Sequence, residues 1–306
     1  METTLATTCK EEHESRILDG SAFVFVIGAG RSGTTWVQSL LGSHPEVLAC
    51  QESMIFSHFL GPCLRQWHTT SREGRDRGIG LRNYLTYEGF AELLKDMFLR
   101  VFAEPIRALG RRRFIVDKTP AHATWVPEII ELLPCARFIH VLRDARDAVA
   151  SLLAAGRSWG ASWAPAHPRE AALDWQRSVL GAREAIDRLG QGQTAEVRYE
   201  NLLGDAHAEL RRMFDFLGLS YDGKLIDEIV RACEFTKVKR EGRSPGISLF
   251  GAMRKEGTTR REPEGFFRRG EAGIWRKELS LIDRYYVWRY ARKTMRRVGY
   301  PWALPL

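Results

Sequence analysis

The segment from Ser21 to Leu41 constrains the fold more than any other stretch of the chain. An apolar run, Phe23-Val24-Phe25-Val26-Ile27, leads into Gly28-Ala29-Gly30-Arg31-Ser32-Gly33, and apolar residues then recur at Trp36, Val37, Leu40 and Leu41. The spacing passes from continuous to helical, which predicts a strand, a glycine loop and a helix. In such a connection, successive backbone N–H groups and the helix N-terminus converge, so the loop is an anion cradle by position.

A second unit of the same kind covers Arg113 to Leu153. It holds the apolar run Phe114-Ile115-Val116, a helical stretch near Val126 to Leu133, a strand at Phe138 to Leu142 and a helix from about Asp144. Ala195 to Tyr199 reads as a further strand, followed by a helix around Asp205 to Leu217, and a last helix runs from Leu281 to Arg297. Strands alternating with helices predict an α/β fold with a central parallel sheet flanked by helices on both faces. At roughly 150 residues per domain, 306 residues allow two domains, but one domain with long insertions fits as well. The expected organisation is a polar N-terminal segment over residues 1–20 and a single domain over 21–306. Thr69 to Arg82, Ala155 to Pro168 and Arg240 to Gly273 lack periodicity and are expected to be functional loops.

The chain carries 46 Lys+Arg against 38 Asp+Glu, a formal net charge of +8, which favours an anionic partner without naming it. No run approaches the ~18 consecutive apolar residues of a membrane span, and Met1 to Gly20 has no signal-peptide core, so a cytoplasmic location with no membrane partner is expected. The five cysteines (Cys9, Cys50, Cys63, Cys135, Cys233) are scattered and form no C-x-x-C pair. They read as reduced thiols, mostly small buried groups. No cluster of His, Cys, Asp and Glu suggests a metal.

Three readings of the chain compete. Gly28-x-Gly30-x-x-Gly33 satisfies the dinucleotide fingerprint, with Glu52 about where a ribose-binding acid falls, which points to a nicotinamide-dependent oxidoreductase. Arg111-Arg112-Arg113, Arg260-Arg261 and Arg296-Arg297 suggest a basic module for glycans or nucleic acid, although no basic stripe interleaves with aromatics and no nucleic-acid partner is expected. The third reading comes from Arg31-Ser32-Gly33-Thr34-Thr35-Trp36. This stretch resembles the phosphosulfate loop of the sulfotransferases that use 3'-phosphoadenosine 5'-phosphosulfate (PAPS), and it lacks the Gly-Lys-Ser/Thr of a Walker A loop.

Further motifs of that family recur in order. Arg143 at a strand end with Ser151 eight residues on resembles its 3'-phosphate motif. Val197-Arg198-Tyr199-Glu200-Asn201-Leu202 is similar to the segment beside the adenine. Arg268-Arg269-Gly270-Glu271-Ala272-Gly273-Ile274-Trp275 is similar to the C-terminal motif, with Arg269 and Ile274 where cytosolic members usually have Lys and Asp. The resemblance implies that Arg31, the amides of Ser32, Gly33, Thr34 and Thr35, and the two threonine hydroxyls hold the 5'-phosphosulfate end. It implies that Arg143, Ser151, Arg268, Arg269 and Gly270 hold the 3'-phosphate, and that Trp36 and Tyr199 flank the adenine. PAPS would be the co-substrate, with no metal.

Sulfuryl transfer to a hydroxyl needs a base opposite the leaving phosphate and cations on the leaving oxygen. The cytosolic branch carries a His after Lys-Thr, whereas this chain reads Asp117-Lys118-Thr119-Pro120. The protein-tyrosine branch places a Glu after a His-Pro segment, and His44-Pro45-Glu46-Val47-Leu48-Ala49-Cys50-Gln51-Glu52 follows that pattern. The resemblance therefore implies Glu52 as base, which calls for partial burial, and Lys118 as the stabilising cation. His122 is the reserve base, His140 a core histidine, and Ser248, in Gly246-Ile247-Ser248-Leu249, is similar to a serine near the sulfuryl group. The acceptor is expected to be a tyrosine, sugar or natural-product hydroxyl on a peptide, glycan or small molecule. The sequence does not specify an oligomeric state.

Overall fold

The computed structural model describes residues 11–70, 80–251 and 261–300. Parts of two expected loops, 71–79 and 252–260, fall outside these, as do Cys9 and Arg260.

Among the described residues six strands form one sheet: β1 (Phe23–Gly28), β2 (Val47–Cys50), β3 (Phe114–Lys118), β4 (Arg137–Leu142), β5 (Thr194–Arg198) and β6 (Ile247–Ser248), in the order β5-β4-β1-β3-β2-β6. Every pairing is parallel. All six residues of β1 are buried, as a strand covered on both faces requires. Phe23, Phe25 and Ile27 join one core with Phe56, Phe98 and Phe138, while Val24 and Val26 face a second with Val37, Leu40 and Phe214. A third cluster lies around Val149, Trp175 and Met295.

The helices that bear on the site are α1 (Thr34–Gly42), α2 (Ala145–Gly156), α3 (Pro168–Leu189), α4 (Tyr199–Gly204), α5 (Trp275–Glu278) and α6 (Leu281–Arg297). The Asp144 side chain caps α2 by accepting the Arg146 N–H. The strands at Val47–Cys50 and Ile247–Ser248 were not anticipated, and Tyr199 opens a helix instead of closing β5. Cys50 and Cys233 are buried, but Cys63 and Cys135 are exposed, so the expectation of mostly buried thiols holds for half of those described. Ile17 is buried in the first core cluster, which ties the described part of the N-terminal segment to the domain. Among the described residues no helix is long and apolar enough to cross a membrane.

Register decides what meets at the strand ends. Gly28 pairs with Val141 and Val26 with Lys118, so the glycine loop, Lys118 and Arg143 emerge side by side at the carboxyl edge. Cys50 opposite Asp117 brings Glu52 beside Lys118, and Leu142 opposite Arg198 brings Tyr199 beside Arg143. Carboxyl edges of open parallel sheets are where such folds bind ligands.

Candidate active site

The loop after β1 turns through two left-handed residues, Arg31 (φ 67) and Gly33 (φ 94). A Cβ on Gly33 would lie 2.5 Å from Tyr199 Cδ2, so only glycine lets that ring close over the loop. Thr34 and Thr35, the first residues of α1, are buried, and the Ser32 hydroxyl is buried with no hydrogen-bond partner. Arg31 donates through Nε to Ser151 Oγ (3.2 Å) and through Nη2 to the Phe266 carbonyl (2.5 Å). Its guanidinium lies over the rings of Phe266 and Trp159, at 4.6 and 5.3 Å. Burial, with Arg143 and Arg268 nearby, pushes its pKa down to about 10, so the group stays cationic at neutral pH.

Arg143, at the end of β4, is buried and reaches both neighbouring segments. Nη1 donates to the Arg31 carbonyl and Nη2 to the Glu271 carbonyl, each at 3.1 Å, and the group lies 4.1 Å above the Tyr199 ring. Its Nε is buried without a partner. The Trp175 indole on α3 donates to the Arg143 carbonyl (2.9 Å), which fixes the backbone there. Arg268 donates to the Ala150 carbonyl (3.3 Å) and to Glu278 (2.7 Å), with Arg269 3.7 Å from the same carboxylate. Gly270 is left-handed (φ 67) and backs onto the Phe235 ring. Trp36 donates from its indole to the Cys233 carbonyl (3.0 Å) and meets Tyr199 edge to face at 6.1 Å.

Lys118 and Glu52 form a direct ion pair, with the lysine side chain 2% and the carboxylate side chain 26% exposed. The turn carrying Glu52 is pinned from below. Buried Asp117 accepts Ser53 Oγ (2.5 Å) and Thr119 Oγ1 (2.8 Å), and the Ser53 N–H reaches Thr119 Oγ1 at 3.2 Å. His122 is fully buried, and its Nε2 accepts the Phe56 N–H (3.2 Å), with Nδ1 3.7 Å from Asp117. Burial pushes its pKa down. It sits behind the site wall. His140 is buried in the core, as expected. Ser248 lies on β6 opposite Cys50, at the sheet edge and outside the cavity lining.

One cavity of about 910 Å³ joins these groups. Arg31, Arg143, Tyr199 and Arg268 line it together with Glu52 and Lys118. That size suits a nucleotide with room for a second substrate. The lining also holds the aromatic side chains of Trp125, Trp159 and Trp163. Two other lining cations are already paired, Arg65 with Glu128 at 2.7 Å and Arg177 with Asp174. Among the described residues no group of His, Cys, Asp or Glu could hold a metal ion.

Sequence reasoning missed Trp159 and Phe266, which pack together against the Arg31 guanidinium, and Asp147, which accepts backbone N–H groups of the C-terminal motif. Phe266 stands two residues before Arg268, and Asp147 four after Arg143. Only those spacings could have flagged them. The dinucleotide reading fails on topology: β3 lies between β1 and β2, so the acid after β2 faces Lys118 instead of the edge of the glycine loop. Among the described residues of the basic clusters, Arg113 donates to the Gly218 carbonyl and Arg297 pairs with Asp187.

Comparison with known proteins agrees with the geometry. Protein-tyrosine sulfotransferase A of Caenorhabditis elegans is 26% identical over 210 residues, 67% of this chain and 52% of that protein. Protein-tyrosine sulfotransferase 2 of Gallus gallus is 24% identical over 206 residues, 66% of this chain and 53% of its own. The chain thus spans about half the length of these curated relatives. A crystal structure of mouse sulfotransferase SULT7A1 complexed with PAP shares the fold, with a TM-score of 0.57 and 16% identity over 94% of this chain and 90% of that one. The sequence model of the Sulfotransferase family matches residues 23–223, from β1 through the strands that carry the glycine loop, Lys118 and Arg143, and the chain belongs to that family.

Proposed function

We propose that this protein transfers a sulfuryl group from PAPS to a hydroxyl-bearing acceptor, within one sulfotransferase domain over residues 21–306. The observation that carries the reading is the Glu52–Lys118 pair opening into the same cavity as Arg31 and Arg143. Two features support the fit of an anionic nucleotide. Among the described residues Ser32 Oγ and Arg143 Nε are buried donors with no partner, and burial, with the guanidinium groups of Arg143 and Arg268 close by, pulls the Arg31 pKa down. Leaving buried donors unmade is costly, and phosphate oxygens would satisfy them.

PAPS supplies the sulfuryl group and a phosphate that leaves. In this reading the loop amides, Arg31, Thr34 and Thr35 take the 5' end. Arg143, Ser151, Arg268, Arg269 and Gly270 take the 3'-phosphate, and Trp36 and Tyr199 flank the base. Ser151 is then shared, because it also accepts from Arg31. Glu52 takes the acceptor proton at a carboxylate oxygen, and Lys118 offers its charge to the oxygen that becomes negative. The aromatic lining of the cavity suits an acceptor with a ring, such as tyrosine, a sugar or a cyclic natural product. Ser248 would act only by moving toward the cavity.

The test is transfer of labelled sulfur from PAPS by the wild type and by Glu52→Gln. We expect the variant to lose about 10²-fold or more in turnover, with nucleotide affinity within about twofold. Full turnover by Glu52→Gln removes that residue from the role.

A further inference from the structure

We infer that Asp147 is the positioning residue through which the nucleotide site demands a 3'-phosphate, an inference that rests on the proposed PAPS reading. Asp147 sits in the first turn of α2, four residues after Arg143, and is 1% exposed. It spends both carboxylate oxygens on backbone donors of the C-terminal motif. Oδ2 accepts the Gly273 N–H at 2.6 Å and Oδ1 accepts the Trp275 N–H at 2.9 Å. Charge-assisted bonds of this length are the stronger kind, and burial shields them from water.

The pinned segment carries Arg268, Arg269 and Gly270. Besides the Arg146 guanidinium over the Trp275 ring (4.4 Å), it meets α2 and its approach at the Ala150 carbonyl under Arg268 and the Glu271 carbonyl under Arg143, at 3.3 and 3.1 Å. Both of those points are guanidinium-to-carbonyl contacts, and both use the cations that a 3'-phosphate would draw upon. Asp147 holds the backbone without engaging those cations. A phosphate can then recruit them while the segment stays in place, and the ordering entropy of the segment is met in folding instead of in binding. The loop amides that would hold the 5' end are built on β1 and α1, and there Arg31 touches the segment at Phe266, seven residues before Gly273.

The consequence is selective. Asp147→Asn turns one acceptor oxygen into an amide nitrogen facing an N–H donor, so the tie to Gly273 or Trp275 is lost while size is kept. Calorimetric titration of wild type and Asp147→Asn with adenosine 3',5'-bisphosphate and with adenosine 5'-monophosphate separates the two ends. We expect the bisphosphate to weaken about tenfold in the variant and the monophosphate to stay within about twofold, collapsing the preference. Equal weakening of both nucleotides, or no change in either, overturns the inference. If Asp147→Asn does not accumulate as folded protein, Asp147→Glu serves the same comparison, because it keeps the charge but displaces both oxygens. Failure of the wild type to bind either nucleotide instead overturns the sulfotransferase reading, and this inference with it.

Discussion

Gly33 answers two demands at one position: a left-handed turn that directs loop amides inward, and a bare backbone on which Tyr199 can lie. Gly33→Ala therefore adds a backbone penalty of about 1 kcal/mol at φ 94 and a clash with the Tyr199 ring, which the Arg143 guanidinium also covers. We expect a total loss of about 2 kcal/mol or more in urea unfolding, together with weaker nucleotide binding. A loss under about 0.5 kcal/mol would mean that the loop has another way to turn. At this scale, the residues legible in the sequence were those whose role follows from local spacing. Arg31, Arg143 and Tyr199 each stand close after a strand end, with Ser151 eight residues on from Arg143 in the helix that follows, and parallel pairing alone brings strand ends together. Trp159, Phe266 and Asp147 were illegible because each acts on a partner more than 120 residues away, Trp159 and Phe266 on Arg31 and Asp147 on the C-terminal motif. No local pattern encodes that proximity.

Elements with a long period were the easier part. The helix expected near Leu281 to Arg297 forms with those bounds, and in it Val287, Ala291 and Met295 share one buried face while Ser280 with Asp283 forms a capping box at its start. The strand at Val47–Cys50 is only four residues long and follows the His-Pro turn, so its apolar run has no period to read. The two residues of β6 are a strand only because β2 offers them an open edge. That edge places Ser248, and a tertiary accident of this kind leaves no mark in the sequence. The capping box yields its own prediction. In Ser280→Ala the Asp283 N–H loses its acceptor, and α6, which packs on α3 through the cluster around Trp175, should lose about 1 kcal/mol. In a protein of this size that corresponds to roughly 2 °C in Tm by calorimetry. An unchanged Tm would show that the first turn of α6 frays without effect on the layer beneath it.

For the whole molecule, the sheet order makes two things at once: a carboxyl edge that gathers the site, and an interior in which polar groups from that edge are sealed. Two imidazoles are among the sealed groups. His122 faces Asp117, Glu52 and His58, and His140 faces Glu196, Arg183 and Arg198. In both cases burial outweighs the neighbouring carboxylates and holds the ring pKa below the ordinary 6.5. Above that value both rings are neutral, folded or unfolded, and cost no stability. As pH falls below it, the unfolded chain takes up protons that the folded protein refuses, so stability declines until the folded pKa values are reached. Each imidazole adds a slope of up to about 1.4 kcal/mol per pH unit over this window, which lies above the range where carboxylates titrate. Urea unfolding at pH 7.5 and pH 5.5 should therefore show a clear loss at the lower value. His140→Leu, which fills the same buried space without a titrating group, should show a smaller loss between the two. If the variant keeps the wild-type slope, His140 already takes up its proton in the folded state, and the carboxylate of Glu196, 3.4 Å away, outweighs its burial.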